Sequence, residues 1–577
     1  MEPFVSDATR RNWEKLGESG EGKLMRRANK TRSARLLWPA EYLTHAENRP
    51  LLTAVAAEIA EGISAGRYDI ATALFSLAVG QMRHTGVLTG AMPQTRAAAD
   101  FMQTYAALQQ IPELCERVLP ADEFDALGLL YQALLTEGAR NRQGVYYTPA
   151  AIAAELTADL DFSAGQRYLD PCCGSGSFLL TIDTDKANPA QLLGMDSDPV
   201  AVLLARANLL LAYRDKTDVP QIMHGDFTAE QALPPAQVFD AIIGNPPWGA
   251  SGTGEPFAVF LRRALAILKP GGTVRYLLPE AFLHAGVYGA LRRTILQSTA
   301  ITEIRRYPRL FSGVTTPFIA LSLCREAPRA EIPVREGEKN YRVATDGFTR
   351  LRHTLFSLMP QTDRAIVDVL YHRGRHDLSA STWALGIVTG NNAQKLSTAP
   401  IPGGEPIYTG REIAPYQLLP PRRYVVYNRA DWQQSAPEAV YRAPEKLVYR
   451  FIAARPIVAC DSSGSLCLNS ANILIPAVPG MGIKTVMLLL NSDLFGFAYH
   501  RLFSTVKVLK GHLAQLPLPP LTAREDLLLT ALAEDILAGH TAAIAQAQEF
   551  LYDYYGITQT QRAQIQAALP PSNKKVK

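Results

Sequence analysis

The segment NPPW, residues 245–248, combines residue types that could act on an amino group. Pro246 excludes Asn245 from the helical region, and Pro246 and Pro247 each fix their own φ angle, so the loop is stiff. The Asn245 side-chain oxygen and the Pro246 backbone oxygen are two acceptors, which suits an NH₂ group with its two hydrogens. Holding both hydrogens out of the plane of an aromatic ring would free the nitrogen lone pair for attack. Trp248 would supply a flat apolar face for that ring; a stiff loop packed by Trp248 is the purely structural alternative.

A glycine-containing turn lies upstream, in YLDPCCGSGSFLL at 168–180. The pattern predicts a strand that ends at Asp170, a tight turn with Gly174 and Gly176, and then a helix. Glycines at such a turn let the backbone approach a ligand closely, and parallel α/β sheets hold nucleotides at the carboxyl ends of their strands. The segment has neither a GxGxxG signature nor the Gly-Lys-Ser/Thr of a P-loop. It therefore favours an adenosine-bearing ligand without phosphates, although a turn with no ligand would also explain this segment alone.

Two more acidic residues follow strand-like runs further along the chain. Asp196 ends the run LLGMD, about 20 residues after the glycines, where an acid accepts hydrogen bonds from ribose hydroxyls. Asp226 ends QIMHGD, where it could bind an adenine amino group while Phe227 covers the ring. An acid at a strand end can also cap the next helix, as we expect for Asp198 before Pro199. Three successive strands that end in acids favour a ligand site over three unrelated caps.

The elements that must position these residues follow from the spacing of apolar side chains. Residues 37–140 repeat apolar side chains every three or four positions, which predicts helices. From about residue 166, short apolar runs alternate with helical stretches, which predicts βαβ units and a parallel sheet with a late strand at 318–324. Residues 376–520 are rich in Pro and Gly with short strand-like runs, and 521–564 predict a long helix. The fold class is therefore α/β.

Taken together, these motifs resemble a known family. Asn-Pro-Pro-aromatic at 245–248 with Asp-Pro-x-x-Gly-Ser-Gly at 170–176 is similar to the S-adenosylmethionine-dependent methyltransferases that act on amino groups. GVYYTPAAIA at 144–153 resembles the Tyr-Thr-Pro motif of the adenine-N6 DNA methyltransferases of restriction-modification systems. The cofactor motifs come first and Asn-Pro-Pro later, which is the gamma-class order. LGLLYQALLTEGARNRQG, just upstream, looks like the helix that leads into this motif in Type I modification subunits.

The resemblance implies a Rossmann-like core that binds S-adenosyl-L-methionine and methylates N6 of an adenine flipped out of duplex DNA. Stacking on aromatic side chains would offset part of the cost of flipping. RLFSGVTTPFIAL at 309–321 resembles a late motif with a base-stacking aromatic; Phe311 is the candidate, and Phe318 could be confused with it. The catalytic residues implied are Asn245, Pro246, Pro247 and Trp248. The cofactor-binding residues implied are Tyr147, Thr148, Pro149, Asp170, Pro171, Gly174, Gly176, Asp196, Asp226 and Phe227.

The C-terminal part of the chain resembles the target-recognition domain of standalone Type II adenine methyltransferases and Type IIG enzymes. The resemblance lies in ALGIVTGNNAQKL (384–396), YTGREIAPY (408–416) and residues 489–519. Its Arg and Lys side chains would contact phosphates and guanine edges, and an ordinary α/β accessory domain is the alternative. The predicted organisation is an N-terminal helical domain (1–135), a methyltransferase catalytic domain (136–335), a linker (336–375), a target-recognition domain (376–520), a C-terminal helical segment (521–567) and a disordered basic tail (568–577).

Composition limits the classes of protein that remain. Of the 577 residues 19% are charged, and the net charge of +4 permits a nucleic-acid partner without arguing for one. Basic residues instead cluster at 1–36 and 411–455. None of the six cysteines lies in a CxxC pair, so we expect no metal site. Free thiols, with no apolar signal segment and no apolar run of about 18 residues, predict a cytoplasmic protein without a membrane partner.

The expected partners are double-stranded DNA and a separate restriction endonuclease or other defence-system subunits. Residues 1–130 contain no convincing Pro-Asp…Glu-x-Lys spacing of a nuclease, so we expect methylation only. Two alternatives remain open. One is a methyltransferase of RNA bases or glutamine amides, which share Asn-Pro-Pro-aromatic but usually lack the Tyr-Thr-Pro segment and a large C-terminal domain. The other is a catalytically silent DNA-binding subunit, against which the intact Asn245, Pro246, Trp248 and Asp170 argue.

Overall fold

The structure of the chain is a computed structural model, and it divides into two compact units. The N-terminal unit comprises Lys23–Phe282 and Tyr288–Thr345, and the C-terminal unit comprises Met1–Gly22, Leu283–Val287 and Asp346–Lys577. Within these bounds, the residues that the structure describes are 4–5, 43–135, 148–163, 165–233, 238–248, 256–307, 317–503, 505 and 507–570.

One nine-stranded sheet organises the N-terminal unit. Its central strands are the short apolar runs of the sequence, and most of their side chains are buried, which is typical of a parallel sheet with both faces covered. The α/β class is confirmed, as is the late strand at 318–324. The strands are β1 (Tyr168–Asp170), β2 (Leu192–Asp196), β3 (Gln221–His224), β4 (Phe239–Gly244), β5 (Leu268–Pro279), β6 (Ala300–Tyr307), β7 (Phe318–Cys324), β8 (Glu331–Glu336) and β9 (Lys339–Ala344).

The order of strands across this sheet is β9-β8-β6-β7-β5-β4-β1-β2-β3. β1 pairs in parallel with both β2 and β4, while β7 is antiparallel to both of its neighbours, β5 and β6. The chain runs outward from β1 to β2 and β3, and then returns to β4 on the other side of β1. That reversal is a topological switch point, and open α/β sheets bind ligands outside the carboxyl ends of the strands at such a point.

Helices pack in the same compact unit as the sheet. The helices before residue 135 share one hydrophobic core with the helix Pro199–Ala212, which contributes Leu203, Leu204 and Leu210. They therefore belong to the same compact unit as the sheet. The domain boundaries drawn from the sequence stay predictions. The helices of this part of the chain are α1 (Arg49–Ser64), α2 (Ile70–His84), α3 (Arg96–Thr104), α4 (Pro112–Cys115), α5 (Ala126–Leu134), α6 (Ala150–Thr157), α7 (Ser177–Leu180), α8 (Pro199–Ala212), α9 (Pro256–Ile267), α10 (Ala281–His284) and α11 (Gly289–Ser298).

The C-terminal unit has a hydrophobic core of its own, to which strands and helices both contribute. Its strands are β10 (Thr382–Leu385), β11 (Gly404–Tyr408), β12 (Ile413–Ala414), β13 (Gln417–Leu418), β14 (Tyr424–Val426), β15 (Gln434–Ser435), β16 (Lys446–Arg450), β17 (Val458–Asp461), β18 (Leu466–Cys467) and β19 (Ala471–Ile475). Its helices are α12 (Asp346–Arg350), α13 (Gln361–Arg373), α14 (Asn392–Lys395), α15 (Glu438–Tyr441), α16 (Ile483–Asn491), α17 (Asp493–Phe503), α18 (Lys510–Leu513), α19 (Ala523–Leu537), α20 (Ala542–Tyr555) and α21 (Gln559–Ala568).

Small sheets make up the strand part of this unit. Strands β10-β19-β16-β17 form a four-stranded antiparallel sheet, β14-β11-β18 form a three-stranded sheet, and β12 pairs with β13. The short strand-like runs expected over 376–520 are therefore present. Residues Phe4–Val5 pair with β15.

The long helix predicted over 521–564 is wrong, because this segment forms the three helices α19, α20 and α21. Gly539 follows α19 with a φ of 97°, and Gly556 follows α20 with a φ of 67°. A left-handed residue at this position ends a helix, and glycine adopts it without strain. The two glycines therefore divide an apolar pattern that reads as continuous in the sequence. Of the predicted tail, residues 571–577 lie outside the described residues.

Candidate active site

A cavity of about 280 Å³ lies within the N-terminal unit. Its walls include residues that directly follow β1, β2, β3 and β4, so the carboxyl ends of the four strands around the switch point meet there. The predicted site residues that line it are Thr148, Pro171, Gly174, Asp196, Asp226, Phe227, Asn245 and Pro247. Those that lie next to the lining in sequence, but are not part of it, are Pro149, Asp170, Gly176, Pro246 and Trp248. Those that lie outside the described residues are Tyr147 and Phe311. The roles of all these residues stay predictions.

The glycine turn after β1 needs its glycines for backbone conformation. Gly174 and Gly176 have φ angles of 55° and 98°, in the left-handed region that L side chains rarely adopt. The turn is held from β2 as well: the Gly174 N–H donates to Asp196 Oδ2 at 2.8 Å, and the Cys173 N–H donates to the Met195 carbonyl at 2.9 Å. The turn is therefore fixed at the edge of the cavity.

The two carboxylate oxygens of Asp196 bind two backbone segments, the glycine turn after β1 and the residues that follow β2. Oδ2 accepts from Gly174, and Oδ1 accepts from the Asp198 N–H at 2.9 Å. Burial raises the pKa of Asp196 above its ordinary value, although these backbone hydrogen bonds oppose the shift. Asp198 in turn caps α8 by accepting from the Val200 N–H at 2.9 Å, which confirms the cap expected from the sequence. Each Asp196 oxygen has a second lone pair, so binding of ribose hydroxyls, which stays a prediction, is compatible with these contacts.

Asp170 ends β1 in a buried position, with 1% of its surface exposed. Its Oδ1 accepts from the Cys172 N–H at 3.2 Å, whereas its Oδ2 is buried without a hydrogen-bond partner among the described residues. Burial raises the pKa of Asp170 well above its usual range. A Cβ on Gly244, the residue before Asn245, would stand 3.1 Å from Asp170 Oδ1. Glycine at 244 therefore lets the ends of β1 and β4 approach, and it places this carboxyl close to the Asn-Pro-Pro loop.

Asp226 and Phe227 follow β3 on another wall of the cavity. Phe227 is 1% exposed, and its ring centroid lies 5.2 Å from that of Phe260, which also lines the cavity. The Arg263 guanidinium lies 5.3 Å from the centroid of the same ring. Asp226 is exposed and accepts from Thr228 through Oδ1, at 2.8 Å from the backbone N–H and 2.7 Å from the hydroxyl. This wall pairs an apolar surface with an accessible acceptor.

The Asn-Pro-Pro-Trp loop continues directly from β4. The Asn245 side chain donates through Nδ2 to the Thr148 hydroxyl at 3.3 Å, which joins the two predicted motifs across the cavity. Thr148 is buried, and so is Pro246. Trp248 is anchored by its indole N–H, which donates to the Leu277 carbonyl of β5 at 3.2 Å. The loop therefore holds its polar groups in fixed directions.

Phe318 is part of the aromatic packing beneath this loop. It is 1% exposed in β7, and its ring centroid lies 5.7 Å from that of Trp248, with 42° between the ring planes. Tyr307 also packs against Phe318, with its ring centroid 5.0 Å away. Phe318 is therefore a core residue that supports Trp248.

The helix α5 is a wall of the cavity that sequence reasoning missed. Gly128, Tyr131 and Gln132 of this helix line the cavity. The Tyr131 hydroxyl donates to Asp198 Oδ2. The only signal in the sequence is the resemblance of this segment to a helix that precedes the Tyr-Thr-Pro motif, and nothing in that resemblance points to these three residues.

Asp125, at the start of α5, connects this helix to the glycine turn. It is 1% exposed; its Oδ1 accepts from the Gly128 N–H at 2.8 Å and from Asn208 Nδ2 at 2.7 Å, and its Oδ2 accepts from the Ser175 hydroxyl. Asn208 also donates to the Ser175 carbonyl at 3.0 Å. Burial raises the pKa of Asp125 to about 6, and the hydrogen bonds oppose that shift. One carboxylate thus ties together α5, α8 and the turn after β1.

Two protein families match this chain. Residues 122–354, which contain the nine-stranded sheet and every residue that lines the cavity, match the N-6 DNA Methylase family. The chain therefore contains an N-6 DNA Methylase domain. Residues 405–518, within the C-terminal unit, match the TaqI-like C-terminal specificity domain. The resemblance drawn from the motifs is therefore confirmed, as is a recognition domain that follows the catalytic core.

Relatives of this methylase are restriction-modification proteins. The Type II methyltransferase M.VspI of Vibrio sp. (strain 343) is 28% identical over 329 residues, which cover 52% of this chain and 79% of M.VspI. The Type I restriction enzyme EcoEI methylase subunit of Escherichia coli is 23% identical over 284 residues, which cover 42% of this chain and 57% of that subunit. The methylase thus spans less than two thirds of the EcoEI subunit. The chain is therefore similar to methyltransferases of restriction-modification systems.

Solved structures share the fold of the methylase. The Type IIL restriction-modification enzyme MmeI, in complex with DNA, superposes with a TM-score of 0.58 at 11% identity, over 91% of this chain and 98% of MmeI. The DrdV–DNA complex gives a TM-score of 0.54 at 13% identity, over 92% of this chain and 72% of DrdV. At such identities the likeness concerns the fold alone.

S-adenosyl-L-methionine is the cofactor of this methylase, and the residues around the cavity fit it. Among the described residues that line the cavity there is no Lys or Arg, so these residues offer no positive side chain for phosphates, which this cofactor lacks. Phe227 and Phe260 supply an apolar surface for a purine ring, and Asp226 supplies an acceptor. Asp170 Oδ2 is a buried oxygen that lacks a partner among the described residues, and burying such an oxygen unpaired costs about 1–3 kcal/mol.

The described part of the chain contains no metal-binding cluster of side chains. There, no group of three or more His, Cys, Asp or Glu residues is placed to hold a metal ion. None of the helices described is both long and apolar enough to cross a membrane.

Proposed function

We propose that this methylase transfers the methyl group of S-adenosyl-L-methionine to N6 of a specific adenine in duplex DNA. We further propose that it is the modification component of a restriction-modification or phage-defence system. The observation that carries the proposal is the placement of Asn245. It follows β4, lines the cofactor cavity, and donates through Nδ2 to Thr148 Oγ1 at 3.3 Å.

That hydrogen bond orients the Asn245 amide. Because Nδ2 donates to Thr148, the amide presents Oδ1 as its acceptor. The Pro246 carbonyl is the second acceptor of the loop, and Pro247 fixes the backbone that follows it. An amino group with two hydrogens can satisfy both acceptors at once. The N-6 DNA Methylase match supports adenine N6 as that amino group.

The reaction moves a methyl group from sulfur to nitrogen. The cofactor supplies an electrophilic methyl group on a positively charged sulfur. The two acceptors would hold the N6 hydrogens out of the plane of the ring, which would free the nitrogen lone pair for attack. Transfer would leave S-adenosyl-L-homocysteine, and N6 would release one proton to solvent. Asn245 therefore acts by geometry and hydrogen bonding rather than as a strong base.

The target adenine must leave the base stack to reach this loop. Trp248 is the residue that we assign to stacking on the flipped base. Its N–H bond to the Leu277 carbonyl and its packing on Phe318 fix the indole before the base arrives. A pre-positioned aromatic loses little conformational entropy on binding, so most of the stacking energy is available to offset the cost of flipping.

The C-terminal unit is the part that we assign to recognition of the DNA sequence. It contains the TaqI-like specificity domain and exposed arginines at 411, 422 and 423. Arginine binds phosphates and reads guanine edges through paired N–H donors. A separate endonuclease or other defence subunit would then act on DNA that this methylase has left unmodified.

In the test, the full chain is incubated with labelled S-adenosyl-L-methionine and, in separate reactions, with duplex DNA, RNA or protein as the substrate. We expect transfer to duplex DNA, and sequencing of modified bases in cells that express the chain should find N6-methyladenine within one short motif. Transfer only to RNA or protein, or methylated cytosine instead of adenine, would contradict the proposal. Cofactor binding without transfer to any substrate would indicate a silent subunit and would also overturn it.

A further inference from the structure

The α5 wall of the cavity presents a polar side chain, Gln132, that neither the fold nor the proposed chemistry uses. Gln132 lines the cavity and is half-buried, and its side-chain amide makes no hydrogen bond to any residue that the structure describes. The amide is therefore available to a molecule that occupies the cavity.

Two contacts along α5 fix the position of Gln132. At the start of the helix, Asp125 accepts from the Ser175 hydroxyl of the glycine turn. Directly before Gln132, the Tyr131 hydroxyl donates to Asp198, the cap of α8. A side chain on a helix anchored at both points can meet a ligand without reorganising the backbone, which is the condition for a strong contact.

The part of the cofactor nearest to this wall follows from the packing of α5. A Cβ on Gly128 would stand 2.3 Å from the Ser175 Oγ, so the helix lies directly against the glycine turn. Gln132 lies one helical turn after Gly128. The resemblance assigns the glycine turn to the methionine and ribose side of the cofactor, whereas it assigns Asp196 to the ribose and Asp226 to the adenine.

We infer that Gln132 is a further cofactor-binding residue, and that its amide binds the amino-acid end of S-adenosyl-L-methionine. That end carries a carboxylate and an ammonium group, and a primary amide offers two donors and an acceptor. None of the described residues that line the cavity is a Lys or an Arg, so among them the carboxylate would meet neutral donors, and Gln132 is such a donor. The inference rests on the proposed function only in taking this cavity as the cofactor site.

The experiment compares two ligands on the full chain without DNA. Equilibrium binding is measured for S-adenosyl-L-methionine and for 5′-methylthioadenosine, which lacks the amino-acid end. For Gln132→Ala and Gln132→Leu we expect S-adenosyl-L-methionine to bind about 10-fold more weakly or worse, because these variants cannot hydrogen-bond its charged groups. Affinity for 5′-methylthioadenosine should change less than about twofold, because that ligand lacks the groups that Gln132 contacts.

Matched controls separate this contact from damage to the fold and from failure of the proposed function. Gln103→Ala removes the same side chain from an exposed position on α3 and should change neither affinity. Thermal unfolding of each variant checks that the fold is kept. An equal loss for both ligands, or unchanged affinity for S-adenosyl-L-methionine, would overturn the inference. If the unaltered chain bound neither ligand, the assignment of the cavity itself would fail, which is a different result.

Discussion

Asn245 is oriented by a residue 97 positions earlier in the chain, because its Nδ2 donates to Thr148 Oγ1. The two segments that carry them are those that resemble the Asn-Pro-Pro and Tyr-Thr-Pro motifs. One hydrogen bond thus links the loop assigned to the target base with the segment assigned to the cofactor.

Asn245→Ala tests the role of this side chain. We expect methyl transfer to fall by about 100-fold or more, the usual effect of removing a group that acts on the reacting atoms in the transition state. Affinity for S-adenosyl-L-methionine should stay within about threefold, since the assigned cofactor contacts lie elsewhere on the wall. Single-turnover transfer to duplex DNA and equilibrium cofactor binding provide the two measurements. A matched loss of cofactor affinity would contradict the assigned role.

Trp248→Ala tests stacking on the flipped base. A base stacked on an aromatic side chain gains about 1–3 kcal/mol, so the everted state should be several-fold less populated in the variant. Fluorescence of 2-aminopurine at the target position reports that population. Trp248→Phe keeps a ring against Phe318 but loses the N–H bond to Leu277, so it should retain most of the signal. An unchanged signal in the alanine variant would exclude stacking.

Single residues also show where prediction from sequence stops. Asp170, Asp196 and Asp226 stand out in the sequence because each follows a strand-like run, and two of them line the cavity. The sequence cannot show that Asp196 accepts from the Gly174 N–H, because that contact depends on the pairing of β1 with β2. A strand end is a local pattern, whereas the partner of a carboxylate is decided by tertiary packing.

Among the elements, α5 has the most unexpected position. The sequence predicts a helix there, but its contact with the glycine turn joins residues 50 positions apart, Asp125 and Ser175, and no periodicity encodes such a contact. The strands of the central sheet are predictable because buried parallel strands are continuous apolar runs. The apolar pattern of the C-terminal helices continues through Gly539 and Gly556, so the sequence predicts one helix. The left-handed conformations of these two glycines divide it into three.

The Asp125 network leads to a prediction about stability and pH. Burial raises the pKa of Asp125 to about 6 in the folded chain, from an ordinary value of 3.8. As the pH rises between these values, the unfolded chain loses this proton before the folded chain does, so the contribution of Asp125 to folding stability falls. The difference amounts to about 3 kcal/mol. Asp125→Asn removes this titration, so its stability relative to the unaltered chain should rise by about that amount from pH 4 to pH 7.

Urea unfolding of both chains at a series of pH values measures this difference. Asp69→Asn is the matched control, because Asp69 also caps a helix, α2, but its hydrogen bonds to Thr72 lower its pKa. That variant should lose stability relative to the unaltered chain as the pH rises through the ordinary range of a carboxyl group. A pH-independent difference for Asp125→Asn would contradict a carboxyl group whose pKa is raised by burial.

For the molecule as a whole, a net charge of +4 over 577 residues is too small to attract DNA by itself. Attraction of DNA must therefore depend on local clusters of basic side chains. Three exposed arginines, at 411, 422 and 423, lie close together in the sequence of the C-terminal unit. The turn that carries Arg411 is stiff, because Glu412, only 2% exposed, accepts from both the backbone N–H and the hydroxyl of Thr409, at 2.8 and 2.6 Å. Binding of phosphates by such side chains releases counterions, which makes affinity depend on salt.

Replacing Arg411, Arg422 and Arg423 together by alanine should therefore weaken duplex binding and flatten its dependence on salt. The plot of log affinity against log salt concentration has a negative slope, and each phosphate that an arginine no longer neutralises reduces the size of that slope by about 0.9. The triple variant should therefore reduce it by about 3. Cofactor affinity should not change, because the cavity is lined by residues of the N-terminal unit. The control replaces three exposed arginines outside this cluster, Arg96, Arg329 and Arg524, which removes the same charge. Equal slopes for the two triple variants would show that net charge, rather than this cluster, sets the affinity for DNA.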